Sequence, residues 1–347
     1  MLVVAAALLL AACGGGTADS SDDTTTTMSK PVQSTTTTDA PETTTTTAPP
    51  TTTTSEPQTP LEELGYPVSE DWVVETVIAD LDAATGGLAM DDDGNFYQAD
   101  FGYTGHPGNT VYKISPGGEV ETFSTDPGME SLTMTVRLDD GTIYQSSYGS
   151  NRVYQISPNG NASVIAEGIR AVRGPTGILV NDDGSLIVEG YNSNILHRIE
   201  PDGTVVDWVT DPRFNGINGI ARDDDGVIYI INHRDGGIFS VSADGSEVTE
   251  LHKFPKPTSH GVYLDGSLYV TSRGAYVVFR YDIATGDVEV IAGMGEYGDE
   301  DGRGGESAIG RPNAIIVGPD GALYINHGGD GSNNPVTIRR ISLEPLS

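Results

Sequence analysis

The chain is short of cysteine, of positive charge and of long apolar runs, and each shortage excludes something. A single cysteine, Cys13, among 347 residues rules out an intramolecular disulfide. Eighteen Lys and Arg stand against 50 Asp and Glu, a formal net charge of −32. A surface that acidic repels phosphate backbones, so nucleic acid is not an expected partner. The apolar run that opens the chain, Leu2 to Leu9, is too short to span a bilayer. Residues 17–60 almost lack apolar side chains and are dominated by Thr, as in Thr24–Thr27, Thr35–Thr38 and Thr43–Thr47. Such a segment cannot bury enough surface to offset its ordering entropy and is expected to be disordered.

The one cysteine sits in Leu10-Ala11-Ala12-Cys13, directly behind the apolar run. This resembles the bacterial lipobox, in which the cysteine is acylated and becomes the mature N-terminus. A cleaved signal is expected over residues 1–12, with its true start upstream because no Lys or Arg precedes the apolar run. Residues 13–60 then form the acylated Cys13 and a linker, and residues 61–347 one domain. The expected location is the bacterial cell envelope, on the outer side of the cytoplasmic membrane. The lipid is the expected membrane contact, and the domain is expected to be a monomer.

Six times between Leu88 and Leu343 the chain repeats one pattern. A small residue and an apolar stretch meet an Asp/Asn-Gly turn, and two further apolar stretches follow. The repeats begin at Gly87, Ser131, Gly177, Gly219, Gly261 and Ala314, spaced by 44, 46, 42, 42 and 53 residues. A period of about 40–50 residues with several short strands predicts propeller blades. The Asp-Gly turns supply the positive φ of tight hairpins, and their acids do not alternate as in a calcium-binding loop. The sixth repeat has three strands only, whereas Trp72–Ile78 reads as an outer strand without a blade. The fold class follows: an all-β, six-bladed β-propeller closed by an N-terminal strand, behind a disordered Thr-rich stalk.

The stretch Ala292-Gly293, Asp301-Gly302, Ala308-Ile309-Gly310-Arg311-Pro312-Asn313 and Gly318-Pro319-Asp320-Gly321-Ala322-Leu323-Tyr324 resembles NHL repeats and the related SMP-30/gluconolactonase propellers. The resemblance covers residues 72–343 and implies architecture better than activity. A propeller gathers one side chain per blade at its mouth, so aligned repeats name a candidate site. One column precedes the first strand of each blade: Gly86, Glu130, Thr176, Asn218, His260, Asn313. A second follows the second strand: Asp100, Ser147, Gly190, Asn232, Ser272, His327. One residue on stand Phe101, Tyr148, Tyr191, His233, Arg273 and Gly328.

The SMP-30 resemblance implies a divalent metal, Ca²⁺ or Mg²⁺, held by Glu130, Asn218 and Asn313, since such oxygens suit hard cations. The family's Asp-Gly at one inner strand is His260-Gly261 here, which departs from a lactonase. Virginiamycin-type lyases use a mouth histidine with magnesium, and His260 is the candidate base, with Arg273 to hold a carboxylate or oxyanion. Asp100, Tyr148, Thr176, Tyr191, Asn232, His233 and His327 are candidate ligand-binding residues, with Phe101, Tyr148 and Tyr191 an aromatic arc. His106 is placed near the mouth, His197 and His252 at the surface. The loop Gly328–Asn334 and the insertion Glu296–Ser307 are expected over the mouth edge. Three readings remain open. One is an anchored propeller binding a small molecule, glycan or envelope protein; the second a metal-dependent hydrolase or lyase; the third a scaffold with a functionless channel.

Overall fold

A computed structural model describes residues 58–167, 174–329 and 334–344. The expected signal, Cys13 and nearly all of the Thr-rich linker lie outside the described residues, as do residues 330–333 of the loop expected over the mouth.

The chain forms six sheets in sequence order. Blade one holds Thr85–Met90, Phe96–Asp100, Thr110–Ile114 and Val120–Thr125. Blade two holds Leu132–Arg137, Ile143–Ser147, Arg152–Ile156 and Ala162–Ala166. Blade three holds Pro175–Val180, Leu186–Gly190, Ile195–Ile199 and Val205–Thr210. Blade four holds Ile217–Arg222, Ile228–Asn232, Gly237–Val241 and Val248–Lys253. Blade five holds Gly261–Leu264, Ser267–Ser272, Val277–Asp282 and Val288–Ala292. Blade six takes Arg311–Val317, Leu323–Gly328 and Val336–Ser342 from the C-terminal end.

The hairpin tips explain the Asp-Gly repeats. Asp223 accepts from the amides of Asp225 (3.0 Å) and Val227 (2.8 Å) through one carboxylate oxygen, and Gly226 takes φ +84°. Asp91 binds the Asp93 and Asn95 amides in the same way. These carboxylates hold turns. Second strands such as Ile228–Asn232 are buried along their whole length, whereas outer strands such as Val120–Thr125 are largely exposed. Burial on both faces follows from stacking. Six apolar clusters fill the six gaps between neighbouring blades; Phe214, Ile217 and Phe239 of blade four meet Ile187, Leu196 and Val209 of blade three.

The N-terminal strand Val73–Leu81 completes blade six, pairing antiparallel with Val336–Ser342 through Val73–Ser342, Ile78–Ile338 and Leu81–Val336. Leu81, Ile78 and Val74 enter the adjoining apolar clusters. First and last segments thus share one sheet, and closure covers the edges that an open sheet would expose. One turn of helix, Pro60–Leu64, precedes this strand, capped reciprocally by Thr59 and Glu62. Its Leu64, with Tyr66 beyond it, packs on Phe254 and Phe279 between blades four and five.

Three expectations are revised. The insertion divides: Asp299 lies 3.5 Å from His327 Nε2, whereas Gly302–Arg303 takes the outer edge of blade six against Val73–Val74, and the wholly buried Arg339 donates to Ala308 O, Glu300 O and Asp301 Oδ1. His197 is fully buried, its Nδ1 3.0 Å from Asp207, because strand three is an interior strand flanked by strands two and four. His252 is partly covered by Tyr66, whose hydroxyl lies 2.9 Å from its Nε2. Among the described residues, no helix is long and apolar enough to cross a membrane.

Candidate ligand site at the propeller mouth

Five of the six blades start with the same irregularity. The first strand pairs with the end of the second strand at Thr85–Asp100, Leu132–Ser147, Pro175–Gly190 and Ile217–Asn232, and in blade six with its penultimate residue at Pro312–His327, then slips register. A bulge leaves a residue unpaired and re-aims its side chain. The residues just after the pair are Gly86, Thr133, Thr176, Asn218 and Asn313, and His260 takes this place in blade five, its carbonyl accepting from the Thr271 amide. They stand eight residues before the hairpin glycines Gly94, Gly141, Gly184, Gly226 and Gly321; in the shorter hairpin of blade five His260 stands six before Gly266.

This register moves blade two by three residues, so Thr133, not Glu130, belongs to the column. Ser131 resembles the small residue that opens each repeat, yet it lies in the connection, with φ +51°. Glu130 is exposed, its side chain lies against Gly149, and its backbone bonds Ser147 Oγ.

A cavity of about 250 Å³ occupies the mouth, lined on one side by Phe101, Tyr148, Tyr191, His233 and Arg273. Thr85, Thr133, Thr176, Asn218, His260 and Asn313 line the rest. The arc is continuous: ring centroids are 6.1 Å apart for Phe101–Tyr148, 6.0 Å for Tyr148–Tyr191 and 5.8 Å for Tyr191–His233. A polar brace fixes it across three blades. Asn192 Nδ2 donates to the Tyr148 hydroxyl (3.1 Å), Arg234 Nη2 donates to Asn192 Oδ1 (3.0 Å), and the Arg234 guanidinium lies 4.7 Å from the Tyr191 ring centre. At the arc's sixth place stands Gly328, which adds no side chain.

The structure brings Tyr148, Thr176, Tyr191, His233, Asn218, Asn313, His260 and Arg273 to the cavity. Asp100, Asn232 and His327, expected there as ligand-binding residues, point the other way. Each binds the loop before strand one of its own blade: Asp100 accepts from Ala84 N (2.8 Å), Asn232 from Asn215 N (3.0 Å), His327 Nδ1 from Gly310 N (3.1 Å). Ser147 and Ser272 make comparable bonds to Glu130 and Pro257. These residues are latches, and the alternation of side chains along a strand is the reason. His106 stacks on Tyr103 at 4.2 Å, outside the cavity lining.

Several column residues also stitch blades together. Thr133 Oγ1 donates to Pro175 O, Thr176 Oγ1 to Ile217 O, and Asn218 Nδ2 to Ser259 Oγ. Asn313 is committed at both ends: its oxygen accepts from Ser259 Oγ (2.8 Å) and its nitrogen donates to Gly86 O (3.0 Å).

Two buried polar atoms of the lining, Thr85 Oγ1 and His260 Nδ1, make no hydrogen bond among the described residues. Buried polar groups are nearly always paired, so two in one cavity mark where a ligand group or water completes the set. Burial, with His233 and Arg273 beside it, holds His260 down at about 3. It is therefore neutral at physiological pH, and a weak base. Burial also lowers His233, whose Nδ1 donates to the Thr258 carbonyl. Burial lowers Arg273, as does the neighbouring Arg311.

The expected metal does not fit these residues. Among the described residues no carboxylate lines the cavity, Asn313 already directs its oxygen to Ser259 Oγ, and Glu130 lies elsewhere. Among the described residues, no three His, Cys, Asp or Glu are grouped as for a metal ion.

No family model matches the chain, and no curated protein matches it either. Solved structures do. Virginiamycin B lyase from Staphylococcus aureus is 16% identical, with a TM-score of 0.54 over 78% of this chain and 99% of that one. A gluconolactonase from Xanthomonas campestris is 12% identical, with a TM-score of 0.59 over 78% and 89%. The PQQ-bound aldose sugar dehydrogenase of Streptomyces coelicolor is 14% identical, with a TM-score of 0.58 over 79% and 100%. The fold is thus a six-bladed β-propeller similar to lyase, gluconolactonase and sugar dehydrogenase propellers. At these identities the likeness concerns fold, and function rests on the site.

Proposed function

We propose that this chain is an envelope lipoprotein whose propeller binds a small ligand at its mouth. The observation that carries the binding reading is the braced aromatic arc facing two buried polar atoms, Thr85 Oγ1 and His260 Nδ1, that lack partners among the described residues. About 250 Å³ is below the roughly 300–1,000 Å³ of most ligand pockets, which favours a small ligand over an oligosaccharide or a protein loop. The lipobox resemblance at Cys13 supports the anchor, and the Thr-rich linker supplies reach from a membrane. A hydrolase or lyase is favoured less. The weakly basic His260 and the absence, among the described residues, of a grouped set of His, Cys, Asp or Glu support this ordering.

A thermal-shift screen of the full chain against small-molecule, lactone and ester panels tests this. A binder gives shifts that vanish in Tyr191→Ala and His260→Ala, with every compound recovered unchanged. Turnover abolished by His260→Ala makes the protein an enzyme instead. Incorporation of labelled palmitate, lost in Cys13→Ser, tests the anchor.

A further inference from the structure

We infer that the mouth is built for a small anion with a planar body rather than for a divalent cation; this rests on the binding reading above. The charge pattern is the first ground. The chain carries −32 overall, yet among the described residues no Asp or Glu lines the mouth cavity. Arg273 lines it, Arg311 is close enough to bear on Arg273, and Arg234 lies over the Tyr191 ring of the arc. Cations gathered in a cleft with low-dielectric walls focus a positive field there, against the sign of the whole molecule. A guanidinium is the side chain best matched to a carboxylate or phosphate, which it binds through parallel N–H bonds.

The hydrogen-bonding groups are the second ground. The Thr85 hydroxyl can donate, and so can His260 Nδ1 in its Nδ1–H tautomer, so both can serve an acceptor-rich ligand. The Asn313 oxygen, which a cation would need, already accepts from Ser259 Oγ.

Shape is the third. Phe101, Tyr148, Tyr191 and His233 form one wall of rings held by the Asn192–Arg234 brace, and a flat apolar body stacks on such a wall. Arg273 follows His233 in the next blade, so the anionic group lies at the end of the wall and the ring along it.

The test is isothermal titration of the full chain with benzoate, benzamide, cyclohexanecarboxylate and calcium chloride, with the melting temperature recorded for every variant. Benzoate is expected to bind about tenfold more tightly than neutral benzamide, the value of one charge-assisted hydrogen bond. It is also expected to bind more tightly than the non-planar cyclohexanecarboxylate. Arg273→Gln removes the preference over benzamide, Arg273→Lys keeps part of it, and Tyr191→Leu removes the preference over cyclohexanecarboxylate. Equal binding of benzoate and benzamide overturns the anion inference and leaves a binding mouth. Calcium binding tighter than benzoate overturns it in favour of a cation. If neither these probes nor any compound of the wider screen binds, both readings fall.

Discussion

Two columns of neighbouring residues share the mouth end of the ring and do opposite work. Asp100, Asn232 and His327 turn outward and hold the loop before their own blade. Phe101, Tyr148, Tyr191, His233 and Arg273 follow the latch positions by one residue, and they line the cavity. A shift of one residue reverses the facing in a strand. Polarity near an opening therefore does not identify a binding residue. In this propeller the latches are polar because backbone amides need partners, whereas the cavity wall is largely aromatic.

The largest expected effect concerns what the columns share, a closed ring. Deleting residues 58–81 removes the outer strand of blade six and exposes the edge of Val336–Ser342. The cooperative thermal transition of the whole domain is expected to be lost. A domain that still melts sharply at the wild-type temperature would show that closure is dispensable.

Next is the contrast between the columns. Asn232→Ala removes a fully buried side chain that pairs with the partly buried Asn215 N and Arg213 O, and is expected to cost about 2 kcal/mol, read from the urea midpoint. Tyr191→Ala, at a half-buried position, is expected to cost about 1 kcal/mol or less while abolishing mouth ligands. The reverse order would break the distinction.

Two histidines sharpen it through pH. His260 faces the mouth and His327 is a latch, yet both are lowered to about 3, in each case chiefly by burial. Above about pH 6.5 both rings are neutral, folded or unfolded. As pH falls below that, the unfolded chain takes up protons that the native state refuses until about pH 3. Stability therefore declines over this window, by about 2 kcal/mol per ring at about pH 5. His260→Gln and His327→Gln are each expected to flatten the pH dependence of unfolding by that amount, relative to wild type. A change in only one of them would mean that role, not burial, governs the shift.

The smallest effects test the register. Thr133→Val loses the bonds to Pro175 O and Ser146 Oγ and is expected to cost about 1 kcal/mol. Glu130→Gln is expected to leave both the melting temperature and mouth ligands unchanged. The opposite result would return Glu130 to the site.

Much of the architecture was legible in the chain. The hairpin glycines recur with the blade period, and the stray strand near Trp72 matches the strand missing from blade six, so closure followed from counting. The aromatic arc was legible too, since Phe101, Tyr148 and Tyr191 hold the same place in three repeats. The error at Glu130 was avoidable. Counting back eight residues from Gly141, rather than matching small residues, leads to Thr133. The buried His197 and the path of the insertion were not legible. Both depend on which strand covers which, and Asp301 reaches Arg339 only after blade six has assembled.

The sequence by itself determined the repeat, the turns, the number of blades and the strand that closes them. Those follow from local backbone preference and apolar periodicity, which each segment carries alone. Only the tertiary structure decided which polar residues face the mouth, which are latches, and that Arg273 stands in the mouth of an otherwise acidic chain. A bulge sets the direction of a side chain through pairing with a neighbouring strand. Burial, partners and local field exist only once six blades have met around one axis.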